Sequence, residues 1–304
     1  MERHEVWLKR TITVVAVTMS LFHLYVAYFG PPNAFTLRAT HFGFALVLAY
    51  LSLPMFASRQ GKAPTPLDWL FLVGSLAASA YPIVEQQYFN TRMAYVGPVS
   101  ATDISFAILM IVVVLEGTRR AIGPILPITA LIFLGYQVFF TNTHLIRLLE
   151  YQYMTTDALF GIPAQVSATY VVLFVIFGAL AERLGIGKLF MDFALALTGS
   201  QAGGPAKVAV VTSGLFGSVS GSAVANVMTT GTFTIPLMKR IGYPPHFAGA
   251  VEAVASTGGQ IMPPIMGAAA FVMAEFLGVS YLKVAAFALL PALLYYLAVF
   301  LAVH

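Results

Sequence analysis

Two polar, glycine-rich breaks interrupt apolar segments in the second half of the chain. The first is GSVSGSAVAN at 217–226, and the second is ASTGGQIMPP at 255–264. Lipid cannot satisfy the free N–H and C=O groups of an unwound backbone, so irregular backbone at membrane depth must be buried in protein or line a wet cavity. The two breaks therefore predict a place where small solutes or ions meet backbone dipoles.

The composition is that of a membrane protein. Of the 304 residues, 59% are apolar and 9% are charged, whereas soluble domains carry about 25% charged residues. The net charge of +4 is scattered without a basic run, so nucleic acid is not an expected partner. The absence of cysteine excludes disulfides and cysteine-ligated zinc. These features predict an all-α, polytopic membrane protein with the lipid bilayer as its solvent.

Apolar runs of roughly 17–25 residues predict the membrane-spanning helices. Five such runs lie in the region 1–145, and a sixth follows a more polar stretch, 146–166. That stretch carries charges among aromatic residues, which is typical of an interfacial amphipathic connector. The six runs are 11–29, 35–57, 67–84, 99–115, 122–140 and 167–184.

The region 167–304 predicts a less regular architecture. An arm helix at 187–198 precedes a segment, 207–240, that has lysine or arginine at both ends. Its two halves are short for full spans at 1.5 Å per residue, which favours a re-entrant helical hairpin with its tip near 218–226. The segment 247–277 is long enough to cross, but its Gly-Gly and Pro-Pro pairs predict a broken helix. A last span is predicted at 284–303.

Positive charges indicate the orientation of the chain. If the spans cross alternately, most loop arginines and lysines fall on the same side as the N-terminus, which predicts a cytoplasmic N-terminus. The residues on that side are Arg3, Lys9, Arg10, Arg59, Lys62, Arg119, Arg120, Arg183 and Lys188.

Isolated polar residues within the spans have structural interpretations. Asp103 is expected to cap the helix that follows it, and Arg38 and His41 are expected to reach outward to the membrane surface. His23 is expected to form an interhelical hydrogen bond. Glu252 lies just before the second break; a proton or cation role stays open, but a carboxylate satisfied by a nearby hydroxyl or N–H is the favoured interpretation.

No sequence pattern of a common enzyme class is present. The chain contains no G-x-x-x-x-G-K-[ST], no H-E-x-x-H and no G-x-S-x-G. It is therefore not expected to be an enzyme. The glycines of the first break also fit a simpler alternative, a small-residue packing seam built on Gly217 and Gly221.

The sequences GSVSGSAVANVMTTGTFTIPLMKRIGY at 217–243 and AGAVEAVASTGGQIMPPIMGAAAFVMAE at 248–275 closely resemble the large membrane subunit of tripartite ATP-independent periplasmic (TRAP) transporters. The likeness is greatest to the fused permeases that pair with TAXI-type solute-binding proteins. The spans in 1–145 resemble the small membrane subunit. The family's large subunit has two inverted repeats, each with a hairpin and a broken helix, and this chain has room for one of them at 167–304. The resemblance therefore implies the N-terminal portion of a longer permease.

The resemblance implies a function in the bacterial inner membrane. A periplasmic solute-binding protein would deliver a small organic acid, uptake would be driven by a Na⁺ or H⁺ gradient, and no other cofactor is implied. The remaining C-terminal half of the permease would be a further partner. The implied cation-binding residues are Ser220, Ser222, Asn226, Gly258, Gly259, Ile261 and Pro263, and the implied substrate contacts are Thr229, Thr230 and Thr257.

Two other functions stay open at this stage. One is a secondary carrier or channel that works without a binding protein. The other is an incomplete or scaffold membrane subunit without autonomous transport.

Overall fold

The computed structural model describes residues 3–56, 64–141 and 143–304. Within these ranges the chain forms helices and no β-strand, which confirms the predicted fold class. The chain divides into two compact units, residues 1–169 and 170–304. Arg59 and Lys62, which contribute to the predicted orientation, lie outside the described residues.

The helices of the first unit and of the segment that follows it range in length from 5 to 27 residues. Two of them, α8 and α9, are joined by a π-helical turn at Ser167–Val171. In chain order they are α1 (Arg3–Phe29), α2 (Ala34–Ser52), α3 (Pro66–Val84), α4 (Gln86–Thr91), α5 (Ala101–Ile122), α6 (Ile125–Phe140), α7 (Leu145–Tyr153), α8 (Ile162–Val166) and α9 (Val172–Arg183).

The second unit consists mainly of paired helices separated by tight turns. α11 packs against both neighbours in the chain, α10 and α12, and against α13. The elements are α10 (Ile186–Thr198), α11 (Gly204–Ser220), α12 (Ala223–Arg240), α13 (Pro245–Thr257), a 3₁₀ turn (Gly258–Gln260), α14 (Ala268–Leu277) and α15 (Tyr281–Ala302).

Six helical segments among the described residues are long and apolar enough to cross a membrane. α6 has 16 residues, fewer than the predicted span at 122–140. The sixth span begins at Ile162, inside the region 146–166 that the sequence assigns to a connector. The six segments are Val6–Phe29, Ala34–Ser52, Pro66–Val84, Ala101–Ile122, Ile162–Arg183 and Tyr281–Ala302.

The core of the first unit is built on aromatic rings from α2, α4, α7 and the turn that follows α7. Tyr50, Tyr153 and Phe160 are almost completely buried. A buried tyrosine hydroxyl needs a hydrogen-bond partner, and both find a backbone carbonyl: Tyr50 donates to Val113 at 2.6 Å and Tyr153 to Ala78 at 2.5 Å. The core therefore joins α2 to α5 and α7 to α3 by polar as well as apolar contacts.

A buried ion pair lies at the start of α3 and the end of α5. The Arg120 guanidinium lies 2.6 Å from Asp68, and the two side chains are 0% and 2% exposed. Arg120 also bonds Glu116 at 2.8 Å and lies over the Tyr50 ring. Asp68 in turn accepts from Thr65, which caps α3. The neighbouring Arg119 pairs with Glu116 as well, but it is 39% exposed.

The start of α5 corrects one expectation. Asp103 is not the N-cap residue; Ser100 is the N-cap, and Asp103 lies at the third helical position of a capping box. Its carboxylate accepts from the Ser100 N–H at 2.9 Å and from the hydroxyls of Tyr81 at 2.7 Å and Tyr88 at 2.9 Å. The buried carboxylate thus satisfies two tyrosines of the preceding helices.

Arg38 and His41 also differ from expectation, because both are buried rather than extended to the membrane surface. Arg38 donates to the carbonyls of Thr156 and Phe160, in the turn between α7 and α8. Backbone carbonyls of an irregular turn need donors in a non-aqueous environment, and the guanidinium supplies several at once. The imidazole of His41 contacts His23 at 3.0 Å, so the predicted interhelical hydrogen bond of His23 is present.

The short helix α7 is held to the loop after α4 by Glu150. Its carboxylate bonds Arg92 at 2.6 Å, the Tyr95 N–H at 2.7 Å and Arg147 at 2.8 Å. Burial alone would raise the pKa of Glu150, but the Tyr95 N–H and the two arginines outweigh it and hold the pKa below its usual value. This part of the predicted connector is thus fixed by charge-assisted hydrogen bonds.

We expect Arg120→Ala to destabilise the protein much more than Arg119→Ala. Removing Arg120 leaves the buried Asp68 carboxylate without its cation, which costs about 3–5 kcal/mol. Removing the half-exposed Arg119 costs about 1 kcal/mol or less. Thermal unfolding of the two variants in the same detergent measures the difference, and equal losses would contradict this account of the first unit.

Candidate functional site

The two polar breaks form the ends of four helices in the second unit. α11 ends at Ser220, and α12 begins after Ser222, whose hydroxyl accepts from the Ala225 N–H at 3.3 Å. Gly221 between them has φ +62°, a left-handed conformation that glycine adopts at little cost. The sequence therefore closes the hairpin at a tip of two residues.

The second break separates α13 from α14. α13 ends at Thr257, a 3₁₀ turn occupies Gly258–Gln260, and regular helix resumes only at Ala268. We call the residues 258–267 the linker. The predicted broken helix is present at this place, whereas the re-entrant placement of the hairpin in a membrane stays a prediction.

Two tyrosines of α15 support the end of α13. The hydroxyl of Tyr295 donates to the Val254 carbonyl at 2.6 Å, and that of Tyr296 donates to the Ala255 carbonyl at 3.0 Å. The Val254 carbonyl also accepts the Gly258 N–H, so the two hydroxyls reinforce the last turn of α13, where helical hydrogen bonding ends. The rings also pack onto Gly258, where an added Cβ would lie 2.5 Å from Tyr295.

The hairpin and the linker contact each other backbone to backbone. The Ile265 N–H donates to the Ser218 carbonyl at 3.3 Å. A Cβ added at Gly259 would lie 2.8 Å from the Cα of Gly217 and 3.2 Å from the side-chain nitrogen of Asn226. Glycine at both positions is therefore a steric requirement of the contact, since any side chain would separate the hairpin from the linker.

Asn226 is completely buried behind the tip. Its side-chain nitrogen donates to the Ser213 carbonyl at 2.8 Å, which fixes the start of α12 against α11. Its side-chain oxygen lies 3.1 Å from the hydroxyl of Thr230. The amide is thus oriented by a backbone carbonyl on one side and by a threonine on the other.

A cavity of about 560 Å³ lies against the tip and the linker. The tip contributes Ser220, Gly221 and Ser222, and the linker contributes Gln260, Ile261 and Gly267 among others. The side-chain oxygen of Ser220 is buried and has no hydrogen-bond partner among the described residues. A buried polar atom without a partner is uncommon, so this hydroxyl is a ready ligand at the edge of the cavity.

The helix ends around this cavity place partial charges of both signs beside it. α11 brings its C-terminal carbonyls to Ser220, and α12 and α14 bring their N-terminal N–H groups to Ser222 and Ala268. Helix C-termini attract cations and helix N-termini attract anions. The arrangement can therefore hold a cation on backbone and hydroxyl oxygens and an anion close to it.

The structure separates the predicted cation-binding residues into two groups. Ser220, Ser222 and Ile261 line the cavity. Asn226, Gly258 and Gly259 are buried in the contact behind it, and Pro263 lies half-buried in the linker. The tip and the linker thus meet as the sequence predicts, but cation binding at these residues stays a prediction.

The three predicted substrate threonines do not line this cavity. Thr229 donates to Glu182 of α9 at 3.2 Å, and Thr257 donates to the Ala253 carbonyl of its own helix at 2.7 Å. Thr230 is buried and bonds Glu252 at 2.5 Å. Each hydroxyl therefore already has a protein partner, and their role as substrate contacts remains a prediction.

The sequence underestimates the polar cluster around Glu252. The carboxylate is fully buried and accepts only hydroxyl donors among the described residues, as the favoured interpretation expects. Thr230 with Thr234, and Glu252 with Ser256, are each four residues apart, so the members of each pair share a helix face. These two pairs signal the cluster in the sequence. The donors are Ser213 at 3.3 Å, Thr230 at 2.5 Å, Ser256 at 3.0 Å and Thr234.

A second cavity, of about 640 Å³, lies between α14 and α15 and shares Gln260 and Ile261 with the first. Its lining is apolar except for Gln260 and Lys283. Lys283 was not among the predicted site residues, since a single lysine at the start of a span usually marks the membrane interface.

Comparison with known proteins identifies the family. A family model described as "Tripartite ATP-independent periplasmic transporter, DctM component" matches residues 109–304. The chain belongs to the DctM family of TRAP transporters. The match begins inside α5, so it includes residues 109–145, which the sequence assigns to the part that resembles the small subunit. That domain boundary therefore stays a prediction.

Three relatives show how much of the chain is shared. A putative TRAP transporter large permease protein of Haemophilus influenzae is 32% identical over 110 residues, 36% of this chain and 25% of the relative. The C4-dicarboxylate TRAP transporter large permease protein DctM of Pseudomonas aeruginosa is 37% identical over 91 residues, which are 30% of this chain and 21% of the relative. The 2,3-diketo-L-gulonate TRAP transporter large permease protein YiaN of Escherichia coli is 30% identical over 115 residues, which are 38% of this chain and 27% of the relative. The chain thus matches about a quarter of the length of these relatives.

We expect Gly259→Ala to destabilise the DctM-family fold of this chain, whereas Gly249→Ala on the preceding helix has no such effect. A Cβ at Gly259 meets backbone 2.8 Å away, but a Cβ at Gly249 meets nothing within 4 Å. Overpacking costs about 1–3 kcal/mol, whereas alanine in an open helical position gains up to about 1 kcal/mol. Thermal unfolding of both variants checks the prediction; a Gly259→Ala protein as stable as Gly249→Ala would refute the backbone contact.

Proposed function

We propose that the chain is part of the permease of a cation-driven TRAP uptake system for small organic acids. The observation that carries the proposal is the meeting of the hairpin tip with the linker beside a cavity, where the Ser220 hydroxyl has no hydrogen-bond partner in the part of the chain that the structure describes. Unwound carbonyls and half-helix ends at membrane depth are the usual cation ligands of secondary transporters. Nothing in this site resembles the paired acid and base of an enzyme.

The ligand chemistry favours Na⁺ as the coupling ion. The groups at the tip are the hydroxyls of Ser220 and Ser222 and carbonyls of the tip and linker, and the Asn226 amide lies buried behind them. None of these oxygens titrates near neutral pH, so the tip itself offers no group that would bind and release a proton. Neutral oxygen ligands match a weakly bound monovalent ion, which must bind and leave in each cycle.

Two features support an acidic substrate. The N-termini of α12 and α14 face the first cavity and favour a carboxylate. Lys283 adds a positive charge to the second cavity, which shares linker residues with the first. The names of two relatives, for C4-dicarboxylate and 2,3-diketo-L-gulonate transport, also refer to acids.

The remaining parts of the proposal follow from the family and the sequence. A periplasmic solute-binding protein, of the TAXI type, delivers the acid to the permease. The chain lies in a bacterial inner membrane with its N-terminus in the cytoplasm, as the distribution of arginine and lysine predicts. It acts together with a further permease segment that supplies the second hairpin and broken helix.

We expect Na⁺ to stabilise the purified chain against thermal unfolding. A ligand that binds only the native state at a hundredfold excess over its Kd stabilises by roughly 2.7 kcal/mol. Replacing choline chloride by NaCl at constant ionic strength separates binding from general salt effects. The Ser220→Ala/Asn226→Ala variant should lose the Na⁺ response.

The matched control is Thr232→Ala. Thr232 lies on the exposed side of α12, and its hydroxyl donates to the Thr229 carbonyl of its own helix, so its loss should leave the Na⁺ response unchanged. A second experiment measures uptake of radiolabelled organic acids by proteoliposomes that contain the assembled transporter and its binding protein. Uptake that ignores the Na⁺ gradient, together with a Na⁺ response that survives Ser220→Ala/Asn226→Ala, would overturn the proposal.

A further inference from the structure

The Glu252 carboxylate joins three helices at one point. Its donors come from α11 (Ser213), α12 (Thr230 and Thr234) and its own helix α13 (Ser256). The side chain is 0% exposed. A Cβ at Gly231 would lie 3.1 Å from its Cγ, so α12 packs tightly onto the glutamate stem. The carboxylate is therefore held in a fixed position relative to the hairpin.

Thr230 connects this carboxylate to Asn226. Its hydroxyl lies 2.5 Å from Oε1 of Glu252, 2.8 Å from the Asn226 backbone carbonyl and 3.1 Å from the Asn226 side-chain oxygen. All three are acceptors when Glu252 is ionised, yet a threonine hydroxyl has one proton to donate. The three contacts therefore compete for one proton.

The carboxylate is the strongest of the three competitors. Hydrogen bonds to an ionised acceptor are shorter and about twice as strong as those between neutral groups. The short contact to Glu252 agrees with that ranking. With the proton of Thr230 directed to Glu252, the side-chain oxygen of Asn226 keeps its lone pairs free, while its nitrogen stays anchored on the Ser213 carbonyl.

We propose that Glu252 is a positioning residue for the cation site: by taking the proton of Thr230, it leaves the side-chain oxygen of Asn226 free to bind the ion. The inference rests on the proposed function, since it assigns Glu252 a part in the same site. Glu252 does not touch the ion; it acts through Thr230 on Asn226. If Glu252 served only to pack the hairpin, its replacement would not change which acceptor receives the Thr230 proton.

Among the described residues, the hydrogen-bond partners of the Glu252 carboxylate are all hydroxyls and none is a charged group. On α11 the nearest titratable side chain is Lys207, about 9 Å along the helix from Ser213 at 1.5 Å per residue, and it bonds Gln201 and His304. On α12, Lys239 and Arg240 lie exposed at the far end. On α15, Tyr296 donates to the Ala255 carbonyl.

The test measures how Na⁺ concentration shifts the thermal unfolding of the purified chain. Glu252→Gln replaces an ionised acceptor by a neutral amide oxygen, which holds the Thr230 proton less strongly, so that proton turns more often to Asn226 and competes with the ion for its side-chain oxygen. Loss of one good acceptor weakens Na⁺ binding, and the half-saturating Na⁺ concentration should rise about five- to tenfold. A merely structural role would lower the unfolding temperature without Na⁺ and leave that concentration unchanged.

A second substitution provides the decisive comparison. Adding Thr230→Val to Glu252→Gln removes the proton that blocks Asn226, so the half-saturating Na⁺ concentration should return to within about twofold of the wild-type value. If Glu252 acted only by its charge across space, the added substitution would restore nothing. Ser256→Ala is the matched control, because it removes a hydrogen bond to the same carboxylate oxygen without touching Thr230.

The outcomes distinguish failure of this inference from failure of the proposed function on which it rests. No Na⁺ response in the wild-type chain would overturn the proposed function and this inference together. A wild-type response that Glu252→Gln leaves unchanged, or that Thr230→Val does not restore, would overturn the inference alone. Should Glu252→Gln fail to fold, Glu252→Asp with and without Thr230→Val repeats the comparison, with a smaller expected rise because the shorter carboxylate holds Thr230 less closely.

Discussion

The contact between the hairpin tip and the linker depends on one constraint: backbone that leaves the helix in a non-aqueous environment must find its hydrogen bonds in the protein. The Ser218 carbonyl at the end of α11 receives the Ile265 N–H of the linker, and the last carbonyls of α13 receive tyrosine hydroxyls from α15. Each break therefore supplies what another element lacks. This is why the two breaks occur together, and why glycines meet where the backbones come closest.

The same constraint explains the buried charges of the first unit. The irregular turn between α7 and α8 exposes carbonyls, and Arg38 is buried because it satisfies two of them. Asp103 is buried because it closes a capping box and accepts two tyrosine hydroxyls. In both cases the polar side chain is placed by the unsatisfied groups around it, and a span-by-span estimate of hydrophobicity does not include those groups.

That difference marks how much the sequence could predict. Apolar run length predicts the helical fold, and Gly-Gly with Pro-Pro predicts the break between α13 and α14, because both signals are local. The bonds of Arg38 depend on residues 156 and 160, more than 100 positions away, so no local pattern contains them. At the site, the two glycine-rich breaks are visible in the sequence, but the partners of Thr229, Thr230 and Thr257 depend on rotation of each helix about its axis. The cluster at Glu252 lies between these cases. The four-residue spacing of its members within a helix is visible in the sequence, but their convergence from three helices is not.

The weakness of the contact between tip and linker suits a site that must open and close. Among the described residues, one backbone hydrogen bond at 3.3 Å and the close packing of Gly217 on Gly259 and of Gly221 on Met266 hold the two breaks together directly, whereas Glu252 and the tyrosines of α15 fix the helices behind them. A net hydrogen bond is worth about 1 kcal/mol, and glycine gains much entropy when released. In the proposed function, an ion bound to oxygens of both breaks would add an interaction larger than this hydrogen bond, and its arrival or departure would change whether the tip and the linker stay together. A side-chain interface of the same size would hold them together with or without the ion.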